Sequence, residues 1–242
     1  GTSRSLVGLE NGKKGLLIEY STGGATPGDA YLWELDENNL IQVLFNTYPG
    51  DWERNERGLA SIPGREQEFE KAVEQSIIYA NILENQCIHV MSGLVEKETP
   101  KRHFDTLISN LKRAAPVAAQ NGKTLIIEPI NTRDIPGYFL NYQAQARSII
   151  EAVGADNVKL QFDLYHCQIM EGDLAIHMRE YLDIIAHMQI AGTPGRHEPN
   201  IGEVNYSYLF ELMDELGYEG WVGCEYRPKV DTNSGLSWMK EL

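Results

Sequence analysis

Cysteine is scarce in this chain: Cys87, Cys167 and Cys224 are the only three in 242 residues, odd in number and widely spaced. That count argues against a disulfide framework, no zinc-knuckle spacing is present, and a reducing cytoplasmic setting fits it. No apolar run approaches the roughly 20 residues that span a bilayer, so a membrane partner is not expected. No secretory signal pattern is visible at the start as given. Positive charge is also short. Lys and Arg total 21 against 35 Asp and Glu, a formal net charge of −14, which disfavours a nucleic-acid partner because phosphate contacts need basic clusters. No glycine-rich fingerprint follows any strand-like run, so dinucleotide binding has little support. Nor does any linker divide the chain, which reads as one domain over residues 1–242.

What the chain does have is regular alternation. Short apolar runs that predict strands fall at 15–20 (GLLIEY), 41–45, 86–91, 124–127, 158–162, 185–190 and 221–224. Between them lie helical patterns at 65–83, 100–120, 142–153, 174–183 and 206–216, with shorter candidates at 30–37 and 237–242. Strands alternating with helices imply βαβ units and a parallel sheet. The length is close to the roughly 250 residues of a (β/α)8 TIM barrel, and an open doubly wound sheet is the alternative. Residues 1–14 are polar and glycine-containing, and no inward-facing strand is expected there. The first barrel strand is therefore either absent from the chain or diverged. A gap beside 15–20 or 41–46 would expose sheet edges that invite association into a homo-oligomer.

Four predicted strands deliver an oxygen donor at or near their C-terminal ends: Glu128, Asp163, Gln189 and Glu225. They recur at roughly 30-residue intervals, one βα unit each. In a parallel barrel those ends share the rim where active sites sit. Three carboxylates on one rim repel one another, and a divalent cation resolves the conflict. All-oxygen ligation suits Mg2+ or Mn2+ better than Zn2+. Ordinary polar loop chemistry is the bland alternative. Alternation along a strand turns Gln161 the way of Asp163 and His187 the way of Gln189. His187 reads as a hydrogen-bonded core residue, and His89 as either a site residue or an internally satisfied one. His166, three residues past Asp163, lies on the rim and reads as a substrate contact. Arg196, in the loop AGTPGRHEP, is suited to clamping a carboxylate or to solvent alike. His103 and His177 read as surface residues of helices. Trp52, Tyr138 and Phe139 suit either a pocket cap or the core.

The motifs EPINTR (128–133), YFL (138–140), QFDLYHCQIMEGDL (161–174), HMQIAGTPGRHEP (187–199) and GCEYRP (223–228) resemble the hydroxypyruvate isomerase family of xylose-isomerase-like barrels. FNTYPGD (45–51), GLASIPGRE (58–66) and IHVMSG (88–93) match it as well. The resemblance spans about residues 40–240 and is specific as a set. It implies a (β/α)8 barrel that isomerises a small hydroxy-oxo acid, hydroxypyruvate, to tartronate semialdehyde. It also implies Glu128 and Glu225 as the acid/base pair, and Glu128, Asp163, Gln189 and Glu225 as metal positions. His166 and Arg196 match residues that contact substrate in related sugar epimerase barrels. Three other readings stay open on the same site: a 2-oxo-acid sugar isomerase, a ketose 3-epimerase, and a non-catalytic barrel that binds a small acid.

Overall fold

Four consecutive positions, Leu125, Ile126 and Ile127 fully buried with Thr124 leading in, make the strand that centres the first half of the chain. The computed structural model describes residues 16–18, 41–95 and 99–240. The expectations for 1–14 and for a helix at 30–37 lie outside those residues. The chain divides into a first unit, Gly23–Gln161, and a second unit made of Gly1–Thr22 and Phe162–Leu242.

Strands are numbered in chain order, beginning with β1 (Leu16–Ile18). In the first unit, β2 (Leu44–Asn46), β3 (Cys87–His89), β4 (Thr124–Ile127) and the start of β5 (Val158–Asp163) pair in parallel in that order. The register sets Asn46 beside His89 and His89 beside Ile126. Alternation then turns Asn46, His89, Ile126 and Glu128 to one face. Helix α1 (Glu66–Ile82) buries Phe69, Ala72, Val73, Ser76, Ile77 and Ala80, a 3.6-residue stripe. Helix α2 (Pro100–Gln120) opens with proline at its first position, where no intrahelical N–H partner is needed. It buries His103, Leu107, Asn110, Leu111, Ala114, Ala115 and Ala118. Each fully buried leucine there contributes roughly 1.5–3 kcal/mol through its removal from water. Between α2 and β4, the buried Lys123 ammonium donates to the Ala80 and Asn85 carbonyls at 3.0 and 2.9 Å, closing the C-terminal end of α1. Helix α3 (Gln143–Val153) ends on Gly154, whose left-handed φ of 69° lets its N–H reach the Ile150 carbonyl.

In the second unit, β6 (Ile185–Ile190) pairs with β7 (Val222–Cys224), and β1 pairs with the other edge of β7, all in parallel. Within GLLIEY, the described residues 16–18 are thus a strand. Its helices are α4 (Leu164–Met170), α5 (Leu174–Tyr181), α6 (Tyr206–Glu215) and the short α7 (Thr232–Gly235). The predicted helix at 174–183 stops at Tyr181, because residues 182–184 tighten into a 3-10 turn that feeds β6. The last segment is likewise a 3-10 helix, Leu236–Lys240. Among the described residues no helix is long and apolar enough to cross a membrane. His103 corrects the surface reading. It is 1% exposed, its ring stacks on Phe139, and its Nδ1 lies 3.5 Å from the Ser61 hydroxyl.

Candidate active site

Glu128 leaves β4 where Pro129 ends regular pairing, and only 4% of it is exposed. A buried carboxylate is costly without a partner. His89, one strand over, brings Nε2 to 3.5 Å from the Glu128 carboxylate. Its Nδ1 lies 2.9 Å from the Asn46 side-chain oxygen, the contact that the β2–β3 register prepares. Tyr138 packs in the same unit, its hydroxyl accepting the Ser92 N–H at 2.8 Å. Burial, and then the nearby Glu128 charge, push its phenol well above the usual range, so it stays neutral. Of the two open readings for Tyr138, core packing holds, since it is 1% exposed.

The second unit gathers four of the predicted site residues. Asp163 ends β5 and caps α4, with one carboxylate oxygen accepting the Tyr165 and His166 N–H groups at 2.7 and 3.3 Å. Its other oxygen faces His166 Nε2 at 3.6 Å and Arg196 Nη2 at 4.0 Å. The same Nη2 lies 2.9 Å from the Glu225 carboxylate, and Arg196 Nε donates to the Glu225 carbonyl at 3.2 Å. The guanidinium also lies 5.0 Å over the Tyr165 ring. Arg196 therefore bridges two carboxylates of unequal burial: Asp163 is 1% and Glu225 21% exposed along the side chain. It does so from a left-handed backbone, φ 55°, held by the Arg227 N–H donating to its carbonyl at 2.7 Å.

Gln189 and His187 face the same side, as alternation predicts, because both point at Gly223 on β7. A Cβ at Gly223 would stand 2.9 Å from His187 Nε2 and 3.2 Å from Gln189 Cγ, so the position needs glycine. Beyond Gln189, the Tyr206 hydroxyl donates to the Ala191 carbonyl at 2.8 Å and accepts its N–H at 3.3 Å, which pins the chain as it leaves β6. Burial, with Asp163's charge adding to it, raises the Tyr206 phenol well above 10. Asn46, Tyr165 and Tyr206 do not stand out in the sequence. Inward alternation at the end of β2 is the signal that could have found Asn46. The other two depend on contacts distant in sequence.

The donor set fits a hard divalent cation. Asp163, Glu225 and Gln189 all offer oxygens within the second unit, the donor type such an ion takes. Asp163 and Glu225 already share one positive group, which is the charge demand that such an ion would meet.

Known proteins bear on the chain as a whole. A family model described as the xylose isomerase-like TIM barrel matches residues 25–242. A 2-oxo-tetronate isomerase of Cupriavidus necator is 54% identical over 207 residues, covering 85% of this chain and 80% of that protein. A hydroxypyruvate isomerase of Escherichia coli is 45% identical over 206 residues, with the same coverage, 85% and 80%. Among solved structures, that of an AP endonuclease, family 2, from Brucella melitensis superposes with a TM-score of 0.86 at 46% identity, covering 88% of this chain and 83% of that one. The chain belongs to the xylose isomerase-like TIM-barrel family, in its hydroxypyruvate isomerase branch, and is an enzyme of the isomerase class.

Proposed function

We propose that this enzyme isomerises a small hydroxy-oxo acid, converting hydroxypyruvate to tartronate semialdehyde. The observation that carries the reading is the run His166–Asp163–Arg196–Glu225, at 3.6, 4.0 and 2.9 Å. It combines a proton-transfer group with a cation able to receive a substrate carboxylate. The substrate presents a ketone between a CH2OH and a carboxylate. Isomerisation moves one proton from C3 to C2 and one from the C3 oxygen to the C2 oxygen, through an enediolate, so no redox cofactor is consumed.

Glu128 and Glu225 are the acid/base pair in this reading: one carboxylate takes the C3 proton and the other supplies C2. Support comes from their place at strand C-terminal ends, which in this fold form the active rim. Arg196, with His166 beside it, holds the substrate carboxylate, exchanging part of its bond to Glu225 for a charged hydrogen bond to the ligand. Glu128, Asp163, Gln189 and Glu225 would hold Mg2+ or Mn2+. Such an ion supplies Lewis-acid stabilisation of charge on the two substrate oxygens. A nucleic-acid substrate, which the endonuclease name of the Brucella protein would imply, fits poorly with a net charge of −14. None of the three cysteines forms a disulfide, which fits a reducing cytoplasm.

A second reading, a four-carbon 2-oxo acid as substrate, is favoured by the higher identity to the Cupriavidus enzyme, 54% against 45%. The chemistry is the same and the substrate is one carbon longer. Proton NMR in deuterated water, with Mg2+ and Mn2+ supplied in separate runs, tests both. Hydroxypyruvate should give the aldehyde product with deuterium entering at C2. A larger kcat/KM for 2-oxo-tetronate would move the assignment to the second reading. No turnover of either acid, with either metal, would overturn the proposal.

A further inference from the structure

Away from the oxygen-rich site, the second unit brings together a different kind of donor set. The Cys167 thiol, a Glu171 carboxylate oxygen and a His177 ring nitrogen all lie within 4.8 Å of one another. His177 Nε2 is 3.8 Å from Glu171 Oε2. Nothing in the spacing C-x3-E-x5-H announces a metal motif. The fold assembles it from the turn between α4 and α5.

The backbone explains why the three meet. Cys167 and Glu171 are four residues apart across the end of α4, and so share one face. The Glu171 and Gly172 N–H groups both donate to the Cys167 carbonyl, at 2.8 and 3.0 Å, which closes the helix tightly. Gly172 and Asp173 then take left-handed backbone, φ 70° and 46°, and reverse the chain. The His177 N–H donates to the Asp173 carbonyl at 3.2 Å, so α5 starts with His177 on its first turn and a half. The imidazole stacks on Tyr181 at 5.8 Å and 18°, which fixes the ring plane with Nε2 towards Glu171. Leu174, Met178 and Tyr181 take the core-facing side of α5. His177 and Glu171 are 18% and 15% exposed along their side chains, which leaves an approach from solvent to a sulfur that is itself buried.

The geometry points to a transition-metal site at Cys167, Glu171 and His177, taking Zn2+ or a similar borderline ion and leaving a fourth position for water. A thiolate, an imidazole and a carboxylate select such ions over Mg2+ and Mn2+. Tetrahedral zinc bonds of about 2.0–2.3 Å set donors roughly 3.3–3.7 Å apart. The His177–Glu171 separation of 3.8 Å is close to that, and small side-chain movements bring in the sulfur. Binding exchanges the thiol proton for the metal, Cys–SH plus M2+ giving Cys–S–M+ plus H+. The ion would clip α4 to α5. Because Asp163 caps α4 and the helix carries His166, the clip would stiffen the helix that supports the candidate active site.

Cobalt(II) gives a direct test, because only thiolate ligation produces the intense near-ultraviolet sulfur-to-cobalt charge-transfer band. The full chain, reduced and metal-stripped, is titrated with Co2+ in the presence of excess Mg2+. We expect the band at one equivalent, its loss on adding Zn2+, and its absence in Cys167→Ala. His177→Gln, at the partly exposed edge, should keep the fold by circular dichroism. It should weaken cobalt binding by at least the roughly 10- to 100-fold that follows loss of an outer-shell partner. No band in the native chain, a band that survives in Cys167→Ala, or unchanged affinity in His177→Gln would each overturn the site. If Cys167→Ala does not fold, the native chain and His177→Gln still decide it. The readout needs no turnover, so it stands apart from the proposed isomerase chemistry.

Discussion

The two units answer a buried carboxylate in different ways. In the first, Glu128 meets an imidazole, His89, at 3.5 Å, and that imidazole is steadied by Asn46 at 2.9 Å. In the second, Asp163 and Glu225 meet a guanidinium, which remains charged at every working pH. A carboxylate facing an imidazole shares a partner that can give or take a proton. A carboxylate facing Arg196 shares a partner that carries a fixed positive charge and can also receive a second anion. In the proposed mechanism, Glu128 thus works beside an imidazole, and Glu225 beside the guanidinium that would receive the substrate carboxylate.

The largest effect should come from removing the two carboxylates proposed to transfer the proton. Glu128→Gln and Glu225→Gln keep a side-chain oxygen but lose the base, so kcat should fall by about 10²-fold or more in each at saturating metal. Near-normal kcat in either variant would break the two-carboxylate mechanism. Asp163→Asn should act mainly through metal affinity, and excess metal should restore part of its activity.

Alkaline stability separates the units by a different group. Burial raises the Cys87 thiol on β3 from 9.0 to about 11. Its folded value exceeds the unfolded one, so its contribution is complete below pH 9 and is lost as pH rises towards about 11. That loss is at most about 3 kcal/mol. Urea unfolding across this window should show a decline that Cys87→Ala removes. A decline of equal size in that variant would assign it elsewhere. The Tyr138 and Tyr206 phenols, one in each unit and both raised, extend the loss above pH 10 in both variant and parent.

Arg196→Ala should raise KM for a carboxylate substrate by roughly tenfold or more, the scale of one charged hydrogen bond. KM for a neutral ketose should move less. Equal shifts for the two would mean that Arg196 only organises Asp163 and Glu225.

Much of this architecture is written locally. Thr124–Ile127 and Ile185–Ile190 are legible to the residue because continuous apolar runs bounded by turn signals leave little choice. Glu128 and Gln189 are read from those two strands, and Asp163 and Glu225 from β5 and β7. Helix α4 is not legible as a helix, since its start depends on Asp163 serving as both strand end and cap. His103 reads as a surface residue because its polarity is visible in the sequence, while the Phe139 ring and Ser61 hydroxyl that enclose it are not. Arg196 finds its partner 29 residues away at Glu225, a distance that local pattern cannot bridge.

The smallest expected effect tests the least legible contact. Asn46→Ala removes the side-chain oxygen beside His89 Nδ1 without touching Glu128. A hydrogen bond of this kind contributes about 0.5–1.5 kcal/mol net. If Asn46 orients His89 and His89 in turn orients Glu128, the substitution should lower kcat several-fold while KM stays near its native value. Asn46→Asp, which keeps an acceptor at the same place, should recover most of that loss. If Asn46 merely fills the β2 end, stability should drop by the same small amount in urea while kcat is unchanged. Those two outcomes differ in kcat alone, so one careful pair of rate measurements tells whether the first unit's imidazole takes part in proton handling or only packs against it.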